Sequence, residues 1–201
     1  MGDDWFGRRA REQPSQRWSV AGGAEVSLFV GELAEAPADV LCTSTNPKLS
    51  LLGGTGAAII ERAGWTVRQE AVEIVQRAEA TSGREGLDAG TVHRTSAGRL
   101  PHAFLLHCVV SGPGHAVSAQ TIQSCVHGAL AEVERAACGS VAMPVFGAGH
   151  ASFPFDRAVQ AIAEALRSAL TTVPRVVLVV FDPDRVPVVV RVLDRVWSRS
   201  G

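Results

Sequence analysis

Two runs in this chain are apolar almost without a break: AFLLHCVV at 103–110 and RVVLVVFD at 175–182. A strand that offers apolar side chains to both faces must be covered on both faces, as inner strands of a parallel sheet are. Helical patterns lie between such runs. AQTIQSCVHGALAEVERAACG (119–139) sets Ile122, Val126, Leu130 and Val133 on one stripe. PFDRAVQAIAEALRSAL (154–170) opens on Pro154, a residue suited to a first helical turn. Strands alternating with amphipathic helices predict an α/β fold built on a largely parallel, doubly covered sheet.

The other segments extend the alternation. Strands are expected over 25–31, 38–46, 90–95 and 140–146, and helices over 55–64, 65–80 and 187–197. Gly64 and Gly139 are expected to end their helices. Residues 1–17 are polar and read as a flexible N-terminal arm, and 18–201 read as one domain with a sizeable core. The opening MGDDWFGRRAREQ lacks the apolar stretch of a secretory signal, and no apolar run reaches membrane-spanning length. The expectation is a soluble, cytoplasmic monomer with no membrane partner.

The formal net charge is −1, and Lys48 is the only lysine. No broad positive field therefore draws the chain to nucleic acid or to anionic lipid. A phosphate compound would have to be held by backbone N–H groups and helix ends rather than by cations. Cys42, Cys108, Cys125 and Cys138 form no CxxC pair, so they read as reduced, buried small hydrophobes, with no metal site. His107, inside the apolar run 103–110, reads as a core residue.

Where ligands bind such sheets, they sit beyond the carboxyl ends of the strands. Two glycine-rich elbows fall there. The expected strand 38–46 leads through Asn46 to Gly53-Gly54-Thr55-Gly56 and a helix, and strand 140–146 leads to Gly147-Ala148-Gly149 and a helix. Each elbow lets backbone approach an anion closely, and each helix start adds a favourable field. Together they suit a diphosphate. At the end of the last strand, Phe181 offers either a face for a purine or one more core ring, and Glu32 either accepts from an adenine amino group or is a solvated charge.

At these residues the sequence resembles the macrodomain family of ADP-ribose-binding modules, over about residues 25–198. Gly31-Glu32-Leu33 is similar to the family's Gly-Asp-Ile. CTSTNPKLSLLGGTGAAI (42–59) resembles its Asn-Ala-Ala-Asn segment and first glycine loop. AGTVHRTSAGRLPHAFLLHCV (89–109), MPVFGAGHASFP (143–154) and LVVFD (178–182) resemble its middle strands, its second phosphate loop and its final strand with the adenine-stacking aromatic. The resemblance implies a three-layer α/β/α sandwich with a mixed, mostly parallel central sheet. It implies that Glu32 and the Leu33 N–H hold adenine and that Phe181 stacks on it. Gly147, Ala148, Gly149 and His150 would wrap the diphosphate opposite Gly53, Gly54 and Thr55, with Gly56 and Ala151 on the distal side. Asn46 would contact the distal ribose.

The pattern also departs from the family. Gly56 stands where the family's hydrolases have an Asp, Thr43 where they have the first Asn, and Ala151 where an aromatic packs over the distal ribose. Gly56 and Ala151 are expected to open the distal side to a bulky group and a water. His150 and Asn46 are the candidate catalytic residues. His150 titrates near neutrality and either handles a water proton or covers the loop. Lys48 reads as a loop lysine before a catalytic one. The resemblance implies ADP-ribose and ADP-ribosylated protein or nucleic acid as partners, and no cofactor. Two functions share this pocket, and the small residues Gly56 and Ala151 tip the expectation toward an enzyme: hydrolysis of ADP-ribose from modified macromolecules (protein carboxylates or nucleobases) by an atypical mechanism without the loop Asp, with non-catalytic reading of ADP-ribose as the alternative. A dehydrogenase is disfavoured, since no GxGxxG opens the first βα turn.

Overall fold

A computed structural model describes residues 11–20, 23–51, 54–112, 114, 116–149 and 153–197. Seven strands form one sheet: β1 (Arg11–Ser19), β2 (Glu25–Val30), β3 (Val40–Thr45), β4 (Val92–Thr95), β5 (Phe104–Val109), β6 (Ser140–Pro144) and β7 (Arg175–Val180). Their order is β1-β2-β7-β6-β3-β5-β4. The five inner strands are parallel, and the edge strands β1 and β4 run antiparallel to their neighbours. Helices α1 (Gly54–Ala63), α2 (Trp65–Ser82), α3 (Ala119–Arg135), α4 (Phe155–Ser168) and α5 (Val186–Trp197) complete a three-layer α/β/α sandwich with a mixed, mostly parallel sheet.

Period-two alternation assigns the two faces. Val26, Leu28, Cys42, Leu106, Met143 and Leu178 face a core built with α3, α4 and α5. Phe29, Leu41, Leu105, Ala142, Val177 and Val179 face the opposite core with α1 and the start of α2. The apolar runs 103–110 and 175–182 are inner strands covered on both sides, which is why they show no polar alternation.

Two expectations need correction. Residues 11–17, assigned to a flexible arm, belong to β1, whose Arg17, Trp18 and Ser19 pair with Ser27, Val26 and Glu25. Backbone pairing and a Trp18 anchor that donates to Asp194 in α5 (2.8 Å) order a segment too polar to show a strand pattern. Second, α3 stops at Arg135, short of Gly139. Ala137 takes the left-handed conformation (φ 52°), the Cys138 N–H reaches back to the Val133 carbonyl and the Ala137 N–H to that of Glu134. This is the Schellman closure, made at an alanine where glycine is usual.

Candidate functional site

The parallel order brings the carboxyl ends of β2, β7, β6 and β3 side by side. The Gly31–Leu33 turn, Phe181, the loop after β6 and the loop after β3 therefore stand in a row on one edge of the sheet. This is the crevice in which open α/β folds take ligands.

The loop after β3 is built from its first residue. Asn46 Oδ1 accepts from the Lys48 N–H (3.0 Å) and the Ser50 N–H (3.2 Å), and its Nδ2 donates to Ser50 Oγ (2.6 Å). All its side-chain heteroatoms thus serve the loop. Leu49 and Leu51 hold positive φ (48° and 26°), unusual for branched side chains, and both are buried against Ala71, Val75, Leu87 and Val109. Lys48 Nζ is tied to Glu79 (2.7 Å) and Glu85 (2.8 Å). Those hydrogen bonds raise the Lys48 pKa, so it stays an ammonium and does not act as a base. The loop leads into α1, whose leading N–H groups have no helical partners and face this edge. Gly54 and Thr55 open that helix; Gly53 lies outside the described residues.

Gly56 does not open the pocket, contrary to the expectation drawn from its small size. A Cβ there would lie 3.1 Å from the Leu51 Cα and 3.4 Å from its Cδ2. The folded-back leucine fills the room a side chain would need.

The loop after β6 is closed by the Phe153 N–H donating to the Gly147 carbonyl (3.1 Å). Gly147 combines a positive φ (74°) with crowding, since a Cβ would come 2.8 Å from Val117 Cγ1. Ala148 packs on the core, while Gly149 is exposed, with nothing among the described residues within 4 Å of a Cβ built there. The α4 N-terminus follows at Phe155. His150 and Ala151 lie outside the described residues.

At the other end of the row, Phe181 is 70% exposed, which removes the core-ring reading. Leu33 is buried as the first residue of a short 3-10 turn (Leu33–Glu35), so its N–H has no partner within that turn. Glu32 is not an isolated charge: its Oε2 accepts from Arg62 of α1 (2.9 Å), and the same Arg62 nitrogen donates to Glu35 (3.0 Å). Arg185 lies over the Phe155 ring (5.0 Å to its centre), linking the stretch after Phe181 to the start of α4.

His107 is buried, with Nε2 2.8 Å from Thr95 Oγ1 and no hydrogen-bond partner for Nδ1 among the described residues. Burial pushes it down to about 4, with His93 adding to the shift and Glu70 opposing it. It is a neutral core histidine, two residues below the end of its strand. Among the described residues no group of three or more His, Cys, Asp or Glu is placed to hold a metal ion. None of the described helices is long and apolar enough to cross a membrane.

The family model of the Macro domain matches residues 42–162. The chain belongs to the Macro domain family. An uncharacterized protein of Pyrobaculum aerophilum is 30% identical to this macrodomain over 164 residues, 80% of this chain and 86% of that protein. The Oceanobacillus iheyensis macrodomain with ADP superposes with a TM-score of 0.80 at 20% identity, covering 96% of this chain and 100% of that one. The Trypanosoma brucei macrodomain in complex with ADP-ribose has a TM-score of 0.67 at 18% identity, covering 83% and 68%.

Of the residues singled out from the sequence, Glu32, Leu33, Asn46, Gly54, Thr55, Gly56, Gly147, Ala148, Gly149 and Phe181 all fall on this one edge of the macrodomain. Sequence reasoning missed Arg62 and Leu51. Arg62 carries no local signal, because its partners are some thirty residues away. The signal for Leu51 was present but weak: a leucine pair directly ahead of a glycine run.

Proposed function

We propose that this macrodomain binds ADP-ribose along the carboxyl edge, and that its primary role is to read ADP-ribose on modified protein or nucleic acid. The observation that carries the binding is the arrangement of two glycine loops after the adjacent strands β6 and β3, beside an exposed Phe181 just after β7. Backbone N–H groups and the starts of α1 and α4 would receive the diphosphate, and Phe181 would stack on adenine. Glu32 and the Leu33 N–H would take the base edge. The structures with ADP and ADP-ribose in the same fold support this ligand class.

Reading is favoured over turnover by what the described side chains are already doing. Asn46 is spent on its loop, Lys48 is held as a cation by Glu79 and Glu85, and Leu51 fills the space at Gly56. None is a free base beside the distal ribose.

Hydrolysis is the second reading, favoured by the exposure of Gly149, whose Cβ position meets nothing among the described residues. There, a water held by loop N–H groups and the bound diphosphate would attack C1″ as the bond to the modified group breaks, with His150 as the group to take its proton. Titration calorimetry with ADP-ribose tests the binding. Incubation with ADP-ribosylated protein and ADP-ribosylated DNA separates the two roles: a reader leaves both intact, and a hydrolase releases ADP-ribose.

A further inference from the structure

Glu32 has one methylene more than the family's Asp, and an exposed glutamate of that length samples many rotamers. Here it does not stand alone. Arg62 bridges Glu32 Oε2 and Glu35 Oε1 with one nitrogen, clasping both sides of the 3-10 turn that follows β2. The backbone at Arg62 is itself held, because Arg99 donates to the carbonyls of Glu61 (3.0 Å) and Arg62 (3.4 Å) at the end of α1. A guanidinium fixed at its root thus takes one oxygen of Glu32 and leaves Oε1 for another donor.

We propose that Arg62 is a positioning residue for purine selection: by holding Glu32 Oε2 it presents Oε1 to a 6-amino group, so the site accepts adenine and rejects 6-oxo purines. The inference rests on the ADP-ribose reading above and adds to it the source of base selectivity. An amino group donates to a carboxylate. A 6-oxo group at the same place sets lone pairs against lone pairs, a repulsive element that discriminates without lowering affinity for the correct base. If Glu32 swings free, both the attraction and the repulsion fade together.

The test is calorimetric titration of the full chain with ADP-ribose and with the analogue carrying hypoxanthine in place of adenine. Wild-type protein should prefer ADP-ribose. Arg62→Ala should weaken ADP-ribose by about tenfold, as expected when a hydrogen bond to a charged group is lost, and should leave the hypoxanthine compound no weaker or modestly tighter, so that the preference narrows. Arg62→Lys should restore part of the preference. A thermal melt checks that each variant is folded. Equal weakening of both compounds by Arg62→Ala would mean that Arg62 only braces the turn, and an unaltered preference would mean that it has no part in selection. Either result overturns the proposal and leaves ADP-ribose binding standing. Wild-type protein that binds neither compound overturns the ADP-ribose reading itself.

Discussion

The Leu51 backbone lies against Gly56 so closely that a Cβ at position 56 would come 3.1 Å from the Leu51 Cα. The neighbour that would have to yield is main chain, already at a positive φ and anchored by a buried side chain. Replacing glycine inside a helix normally gains about 0.5–1 kcal/mol, whereas overpacking of this kind costs about 1–3 kcal/mol. Gly56→Ala should therefore lower the melting temperature, and Gly56→Asp should lower it further without raising the release of ADP-ribose from modified substrates. A stable Gly56→Asp variant with new turnover would show that the loop yields readily.

Phe181 combines wide exposure with a place at the end of β7. Phe181→Ala should weaken ADP-ribose binding by about 1–3 kcal/mol, the range for a base stacked on an aromatic ring. Because so little of the ring is buried, thermal stability should move by no more than about 0.5 kcal/mol. Calorimetry and a melt on the same sample separate the two effects.

Asn46 shapes the loop that it begins. Asn46→Ala removes the acceptor for two backbone N–H groups, a loss of about 1–3 kcal/mol if they stay unpaired. Asn46→Asp keeps both acceptor bonds and lets Ser50 Oγ donate in return. Hydrogen exchange of the Lys48 and Ser50 amides should therefore accelerate in Asn46→Ala and stay close to wild type in Asn46→Asp.

His107 makes stability depend on acid. Its imidazole titrates near 6.5 when unfolded and near 4 when buried. The unfolded chain takes up its proton first as pH falls. The stabilisation is therefore complete above about 6.5 and is lost between there and about 4, a total of about 3 kcal/mol. Burial shifts His93 in the same direction. His107→Gln should flatten, but not abolish, the fall in the denaturation midpoint between pH 7 and pH 5.

Most of the architecture was legible because it rests on local rules. Inner strands such as 103–110 announce themselves by unbroken apolar character, and amphipathic helices by their stripe. β1 was hidden because a solvated edge strand needs neither. The end of α3 was misplaced because Ala137 is a good helix former that only the closing backbone bonds turn left-handed. At the site, the glycine loops and Phe181 could be found as single motifs. The Arg62 bridge and the Leu51 contact could not, because each joins segments whose proximity is a product of the folded chain.

The row formed by β2, β7, β6 and β3 also acts as a ruler. Adjacent strands are about 4.8 Å apart, so three steps span about 14 Å from the Glu32 end to the Asn46 end. A mononucleotide laid along that edge from the Glu32 end would reach the loop after β6 and leave the β3 side vacant. On the proposed ADP-ribose reading, the second sugar beyond the phosphates would fill the last graduation, and the spacing of the sheet would gauge ligand length before any side chain inspects the chemistry.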